Sequence, residues 1–327
     1  MSGRKTIIFG NGLGMALDSK FYLLSKALSD TWGASDDNDF FPATYLSPET
    51  KTLIETCLAK KGSPEGEDDL DKLQTSVFAC NFLDNVGQGL QENNLHWLTE
   101  HGKNFPMVIR HYVHDVASVF HNSSYELPDD FASPLSEFIK KTKSHIATLN
   151  YDPLLYNLLK SDHLDGYNGD LVDGIWGAGF KESNLERKYQ KNFGYYLHLH
   201  GSPLFYESSG KVKKASNPTI HKCGRHIVLT HVAHKPSIIA SSVILKAYWK
   251  RLVSCISESE EVILFGYSGL DDHLNQLISG RTNNVHIIEW KSPDYDEVER
   301  HQFWSDALQV DWPRLTPMES ILEFIDW

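Results

Sequence analysis

Two short apolar runs, each ending abruptly at a glycine, constrain this chain more than anything else in it. Thr6-Ile7-Ile8-Phe9 runs into Gly10-Asn11-Gly12-Leu13-Gly14, and Val262-Ile263-Leu264-Phe265 runs into Gly266-Tyr267-Ser268-Gly269. Short apolar runs without polar alternation fit strands buried on both faces, the habit of parallel sheets. Parallel neighbours need crossovers, usually helical, and the chain supplies them. After the first turn, Leu17, Phe21, Leu24 and Leu28 are spaced for one buried helical face. Ser144 to Leu149, Tyr195 to Leu199, His226 to Val232 and Val285 to Glu289 are further strand candidates. Asp152-Pro153 reads as N-cap and first helical position ahead of Leu154, Leu155, Leu158 and Leu159, and helical patterns cover Pro236 to Ile256 and Leu270 to Ile278. This alternation predicts an α/β fold with a Rossmann-like, doubly wound parallel sheet.

One stretch breaks the alternation. Residues 36–140 hold helical patterns, clearest at Val108, Ile109, Tyr112, Val113, Val116, Val119 and Phe120, around a charged run at 60–71 that reads as an exposed loop. The expectation is a mainly helical insertion that divides the sheet domain into 1–35 and 141–327. Residues 161–194, rich in glycine and charge, read as loop-dominated. Acidic residues number 43 against 31 basic, a net charge of −12, which argues against a surface devoted to nucleic acid. The four cysteines form no C-x-x-C pair, so reduced thiols are expected in place of a zinc ribbon or disulfide framework. No run reaches the ~20 apolar residues of a membrane span, and Thr6 to Phe9 is too short for a signal peptide. A cytoplasmic protein without membrane contact is expected.

The chemistry-bearing residues cluster in four segments. Gly10, Gly12 and Gly14 sit where a strand gives way to a helix, where backbone can approach a pyrophosphate. The spacing is G-x-G-x-G, not the dinucleotide fingerprint G-x-G-x-x-G, and a bland tight turn explains it equally well. Thr148-Leu149-Asn150-Tyr151-Asp152 closes a second strand, and Asn150 has the groups to hold a ribose hydroxyl or a water. Asp152 is explained as fully by a helix cap. His198 and His200 alternate with leucines and should share one strand face; His200, just before Gly201, is the better general base. Gly266 and Ser268 fit phosphate or ribose, Asp271 or Asp272 a favourable charge on a helix start, and Glu289 a strand-end grip on an adenosine ribose. Weaker groups read as solvated: His111, His114 and Asp115, whose spacing matches no standard metal site, and the cations Lys211, Lys213, Lys214, Lys222 and Arg225. Ser202 lacks the G-x-S-x-G elbow of a serine hydrolase. Together the four segments suggest chemistry on a dinucleotide.

In order and content, Gly10 to Gly14, Thr148 to Asp152, His198 to Ser202 and Gly266 to Ser268 resemble the motifs of the sirtuin-like NAD-hydrolase family of bacterial antiphage defence. The resemblance spans roughly residues 1–35 and 141–290. It implies NAD as substrate with no metal, Asn150 and His200 as the catalytic pair, and Asp152 supporting the asparagine. It further implies contacts to NAD from Gly10, Asn11, Gly12, Gly14, Thr148, Gly266 and Ser268, which Glu289 joins by its strand-end position. True sirtuin deacylases carry a zinc module with two C-x-x-C pairs, which this chain lacks, and Asn11 stands where the family's first turn usually has alanine. The expected activity is cleavage of the nicotinamide–ribose bond; a non-catalytic NAD or ADP-ribose sensor is the alternative, and protein deacylation comes third for want of the zinc module. An NAD-destroying enzyme needs gating, so a homo-oligomer or an activating partner is expected, a ring-forming ATPase being one family precedent.

Overall fold

Parallel strands place their loops at opposite ends, so the order of strands across the sheet decides which loops meet. The computed structural model describes residues 3–34, 45–89, 98–221, 223–230, 234–281 and 284–327. The chain runs β1 (Lys5–Phe9), α1 (Gly12–Leu17), α2 (Leu24–Gly33), α3 (Pro48–Leu58), α4 (Glu67–Gly89), α5 (Glu100–His121), α6 (Asp129–Thr142) and β2 (His145–Thr148). It continues through α7 (Leu154–Leu159), β3 (Leu171–Val172), β4 (Ile175–Trp176), β5 (Gly179–Phe180), β6 (Gly194–His198), β7 (Phe205–Ser208), β8 (Lys211–Lys214), α8 (Lys235–Ser241) and α9 (Val243–Glu258). Last come β9 (Glu261–Phe265), α10 (Asp272–Ile278), β10 (Val285–Trp290), α11 (Glu297–Leu308) and β11 (Arg314–Met318).

The central sheet has seven strands in the order β11-β10-β9-β1-β2-β6-β3, every pair parallel. Phe9 is in register with Thr148 of β2 on one side and Phe265 of β9 on the other. The chain builds outward from β1 to β2, β3 and β6, then crosses to the other side for β9, β10 and β11. The switch between β1 and β9 opens a crevice at the carboxyl ends of the strands, where both glycine turns lie. The doubly wound expectation is met.

Alternation along β1 divides the core in two. Ile7 and Phe9 pack into one apolar cluster, Ile8 into the other. The helices between residues 48 and 142 place Ile54, Leu73, Tyr112, Phe120 and Phe131 in the same cluster as Ile7 and Phe9, so this helical stretch shares the core of the sheet. Residues 36–44 and 90–97 of the expected insertion lie outside the described residues. Among the described residues, no helix is long and apolar enough to cross a membrane.

Several local expectations change. The helix expected across Leu17 to Leu28 is two, because Asp18 Oδ1 accepts from Lys20 N (2.9 Å) and Phe21 N (3.0 Å) and fixes a turn between them. Glu67, Asp68 and Asp69, expected in a loop, form the first turn of α4, where carboxylates favour the helix dipole. The strand expected over His226 to Val232 does not form in its described part. β6 already has β2 and β3 as neighbours, and Ile227 makes one antiparallel bridge to Gly201 instead; residues 231–233 lie outside the described residues. The helix over Pro236 to Ile256 breaks at Ser242, whose hydroxyl caps α9. The cationic loop is in part the β7–β8 hairpin, and Lys222 is outside the described residues.

Phe265 joins these parts. Its ring centroid lies 5.2 Å from Phe9, 5.4 Å from Phe131 and 5.6 Å from Trp327, linking β1, β9, α6 and the chain's last residue. Phe265→Ala should cost about 3–5 kcal/mol, read as a lowered urea midpoint at unchanged slope; a loss below about 1 kcal/mol would mean that the cluster is not a common anchor.

Candidate active site

The two glycine turns touch through their backbones. Gly10 N donates to Phe265 O and Gly12 N to Gly266 O, both at 2.9 Å. A Cβ on Gly10 or Gly12 would stand 2.6 Å from Gly266 O, and Gly266 itself holds φ +56°. Their first task is therefore mutual packing. The expectation that the first turn offers its amides to a pyrophosphate narrows accordingly, since Gly12 N is spent on Gly266 and Leu13 N donates to Gly10 O at 3.2 Å. Gly14 lies behind the cleft wall, where a Cβ would meet the Tyr22 ring at 2.7 Å.

Around this contact opens a cleft of about 820 Å³, within the range of ligand pockets. Its walls bring together Gly10, Asn11, Gly12, Asn150, Asp152, His200, Gly266, Ser268 and Glu289. Of the residues expected at the site, only Gly14 and Thr148 stand behind the wall; the Thr148 hydroxyl accepts from Asn150 N at 3.0 Å.

Asn150 is 6 % exposed, and its Nδ2 donates to Gly10 O at 2.9 Å. That bond ties the end of β2 to the first turn and fixes which way the amide faces. Its Oδ1 is buried with no hydrogen-bond partner among the described residues, an acceptor open to a donor beside a ligand cleft. Asp152 Oδ1 accepts from Leu154 N at 3.0 Å, but α7 begins at Leu154 with Pro153 as the N-cap residue, so the expected cap moves one residue on and Asp152 holds the helix start from the position before it. Burial raises the Asp152 carboxyl to about 6, opposed by hydrogen bonds from backbone N–H groups and the Asn150 amide.

His200 stands beyond the end of β6, held by its neighbours. Trp249 Nε1 donates to Leu199 O and Val228 N to His200 O, both at 2.9 Å. Gly201 holds φ +86°, and a Cβ there would lie 1.7 Å from His226 O, so this turn requires glycine. The imidazole, in a residue 8 % exposed, places Nε2 3.1 Å from Asp271 Oδ2. A carboxylate only accepts, so Nε2 carries a hydrogen here, and in the neutral form of the ring Nδ1 is then the acceptor that faces a ligand. The expectation that His198 shares this face fails. β6 ends at His198, whose ring is enclosed by Tyr156, Tyr196 and Phe205 and is pushed well below the ordinary histidine range by burial. The turn after it frees His200 from the strand's alternation.

Asp271 and Lys235 were not anticipated in these positions. Asp271 Oδ1 caps α10 through Leu274 N (3.2 Å), while Oδ2 meets both His200 Nε2 and Lys235 Nζ, the latter at 3.0 Å. Burial pushes the Asp271 carboxyl up, but hydrogen bonding and charge from His200, with the charge of Lys235, hold it well below the usual carboxylate range. Tyr267 locks the loop by donating to Asn275 Oδ1 (2.9 Å) and accepting from Asp271 N (2.9 Å). Glu67 and Phe120, from the helical stretch between β1 and β2, also line the cleft. The Glu289 carboxylate is already engaged: it accepts from Arg300, Trp304 Nε1 (2.8 Å) and Tyr295 OH (3.1 Å). It holds Arg300 and Tyr295 at the rim.

The other candidates gather no site. His114 spends its ring nitrogens on Pro203 O, Asp115 and Ser118, and Lys214 is buried against Asp173 at 2.6 Å and the Tyr156 ring. Among the described residues, one group, His145, Cys255 and Glu258, has the proximity of metal ligands. There Glu258 lies 2.8 Å from His145 Nε2 and 2.6 Å from Arg187, with Arg4 at 3.8 Å. Burial opposes its charge, yet hydrogen bonds from His145 and Arg187 hold its carboxyl at about 2. Two guanidinium groups already balance this carboxylate.

A SIR2-like domain model matches residues 144–288. The match takes in the segments of Asn150, His200 and Gly266, and leaves the first glycine turn and the helical stretch outside. SIR2-like domains bind NAD, and this domain is consistent with NAD-related activity. Among curated proteins no sequence matches the chain.

The environment of Asp152 can be read from stability. A carboxyl with a folded pKa above its unfolded value holds its proton more tightly when folded, so charging it opposes folding. The cost is absent below about pH 4, grows between about pH 4 and 6, and stays constant above that. In urea titrations, the stability difference between Asp152→Asn and wild type should move in favour of the variant by roughly 2–3 kcal/mol from about pH 4 to 7. A constant difference across that interval contradicts the assignment.

Proposed function

We propose that this protein is an NAD glycohydrolase, cleaving the nicotinamide–ribose bond to give nicotinamide and ADP-ribose or a cyclised relative. The observation that carries the reading is the convergence of Asn150, with an unpartnered buried oxygen, and His200, with its proton fixed on Nε2, on one cleft beside the paired glycine turns. The SIR2-like match over 144–288 supports NAD as the ligand.

The chemistry asks little covalent work of the protein. The C1′–N bond breaks with its electron pair leaving on nicotinamide, which quenches the pyridinium charge. The ribose passes through an oxocarbenium-like state, and water adds to C1′ as its proton passes to His200 Nδ1. For the cyclised product, an internal nucleophile takes the place of water. Asn150 Oδ1 accepts from a ribose hydroxyl or from the attacking water, and its tie to Gly10 holds that geometry. Asp271 stabilises the imidazolium formed at His200. Asp152, ionised above about pH 6, adds negative charge to the wall of the cleft, where positive charge develops on the sugar.

By the same resemblance, the reaction would deplete NAD in an infected bacterial cell, held in check by self-assembly or by a partner, for which a ring-forming ATPase is the family precedent. The helical stretch between β1 and β2, which already lines the cleft, is the natural element for that control.

Purified protein incubated with NAD should release nicotinamide and ADP-ribose, resolved by chromatography. Asn150→Ala and His200→Ala should each lower kcat by on the order of a hundredfold or more. NAD bound but recovered intact, by a wild type tested alone and in its assembled form, would replace the hydrolase with a sensor of NAD or ADP-ribose.

A further inference from the structure

Lys235 is a lysine 4 % exposed at the start of α8, in the wall of the cleft. A buried ammonium needs compensation, and two carboxylates supply it from opposite parts of the chain. Asp271 Oδ2, at the start of α10, lies at 3.0 Å, and Glu67 Oε2, in the first turn of α4, lies at 3.7 Å. Asp271 Oδ2 is also the atom that meets His200 Nε2 at 3.1 Å. A continuous line of charged groups therefore runs from the helical stretch to the imidazole: Glu67, Lys235, Asp271, His200. His273 and Asp272 on α10, Tyr267 in the turn before it and Tyr151 after β2 are titratable groups coupled to this line.

The charge balance along this line has a direction. Asp271 is buried; Leu274 N holds its Oδ1 at the start of α10, and Oδ2 meets His200 and Lys235. With the ammonium in place, Oδ2 is compensated and the imidazole needs to give it only the Nε2 hydrogen bond. Without the ammonium, His200 is the side chain left at Oδ2, and the carboxylate favours a second proton on the imidazole, which occupies Nδ1 and removes the base. Glu67 pulls on the same ammonium from the other side. Its side chain is 44 % exposed and sits on a first turn that also carries Asp68 and Asp69.

We propose that Lys235 is a positioning residue that keeps His200 available as a base through Asp271, and that Glu67 restrains the reaction by drawing Lys235 away from Asp271. The helical stretch thus acts on catalysis through one carboxylate. This proposal rests on the hydrolase reading, and its test separates the two.

Three variants give opposed signs. Lys235→Met should lower kcat for NAD cleavage by at least about tenfold with KM within about threefold, and Lys235→Arg should restore most of the loss. Glu67→Gln should raise kcat, by up to about threefold. Because Lys235→Met removes a buried ion pair, folding is checked by circular dichroism, and Glu67→Gln, at a half-exposed side chain, serves as the second arm. Independently of turnover, nitrogen NMR of labelled histidine, with the His200 signal assigned through His200→Gln, should show the His200 ring nitrogens moved toward the doubly protonated form in Lys235→Met relative to wild type at the same pH. Unchanged ring nitrogens in Lys235→Met, or a parallel fall of kcat in Lys235→Met and Glu67→Gln, would overturn the proposal. A wild type without NAD cleavage whose ring nitrogens still respond to Lys235→Met would sink the hydrolase reading while leaving the charge line intact.

Discussion

Everything in this cleft depends on two backbone turns lying closer than side chains would permit. Gly10 and Gly12 rest against Gly266 at the carboxyl ends of neighbouring parallel strands, joined by two amide hydrogen bonds. The contact closes the bottom of the crevice at the topological switch between β1 and β9. It also sets the position of Gly10 O, which receives the Asn150 amide. With the sheet pairing of β1 to β2 and β9, that bond joins the three strand ends into one floor. Glycine is required there by the 2.6 Å approach of an added Cβ to a carbonyl oxygen, whether or not a phosphate ever comes near.

On this floor the polar groups are arranged by economy of hydrogen bonds. Burial removes water as a partner, so each buried group must find a protein partner or be left for a ligand. Asn150 Nδ2 is used and its Oδ1 is open; His200 Nε2 is used, and among the described residues no protein group takes Nδ1. Glu289, by contrast, has its carboxylate filled by Arg300, Tyr295 and Trp304. The distinction between a structural and a chemically available residue is drawn by these unfilled valences more than by residue type. The line from Glu67 to His200 extends the same logic to charge, since each group in it is compensated by its neighbour.

The strand–turn–helix rhythm was legible because strands buried on both faces are mostly apolar and a tight turn at a strand end selects glycine. Hence β1, β2, β6, β9 and β10 were visible as apolar runs. The strand over His226 to Val232 misled for the same reason: apolar composition reports burial, while pairing depends on whether a sheet edge is free, and β6 had none. β11 and α11 escaped notice because the edge strand, Arg314–Met318, is only partly buried and lacks the apolar signature. In the site, Asn150, Asp152 and His200 were legible from their places at strand ends. Asp271 was legible only as a helix-start charge and Lys235 not at all, because nothing local relates residues 36 positions apart.

By itself the sequence determined the α/β class, the glycine turns and the residues that would stand at the carboxyl edge of the sheet. These follow from local rules, in which burial selects apolar residues and sharp reversals select glycine. Only the tertiary structure decided that His200 and not His198 enters the cleft, that Asp271 holds it, and that Lys235 joins that pair to Glu67. Those assignments rest on contacts between segments far apart in the chain, and such contacts are fixed by the order of strands and the packing of helices, which leave no mark in the spacing of residues.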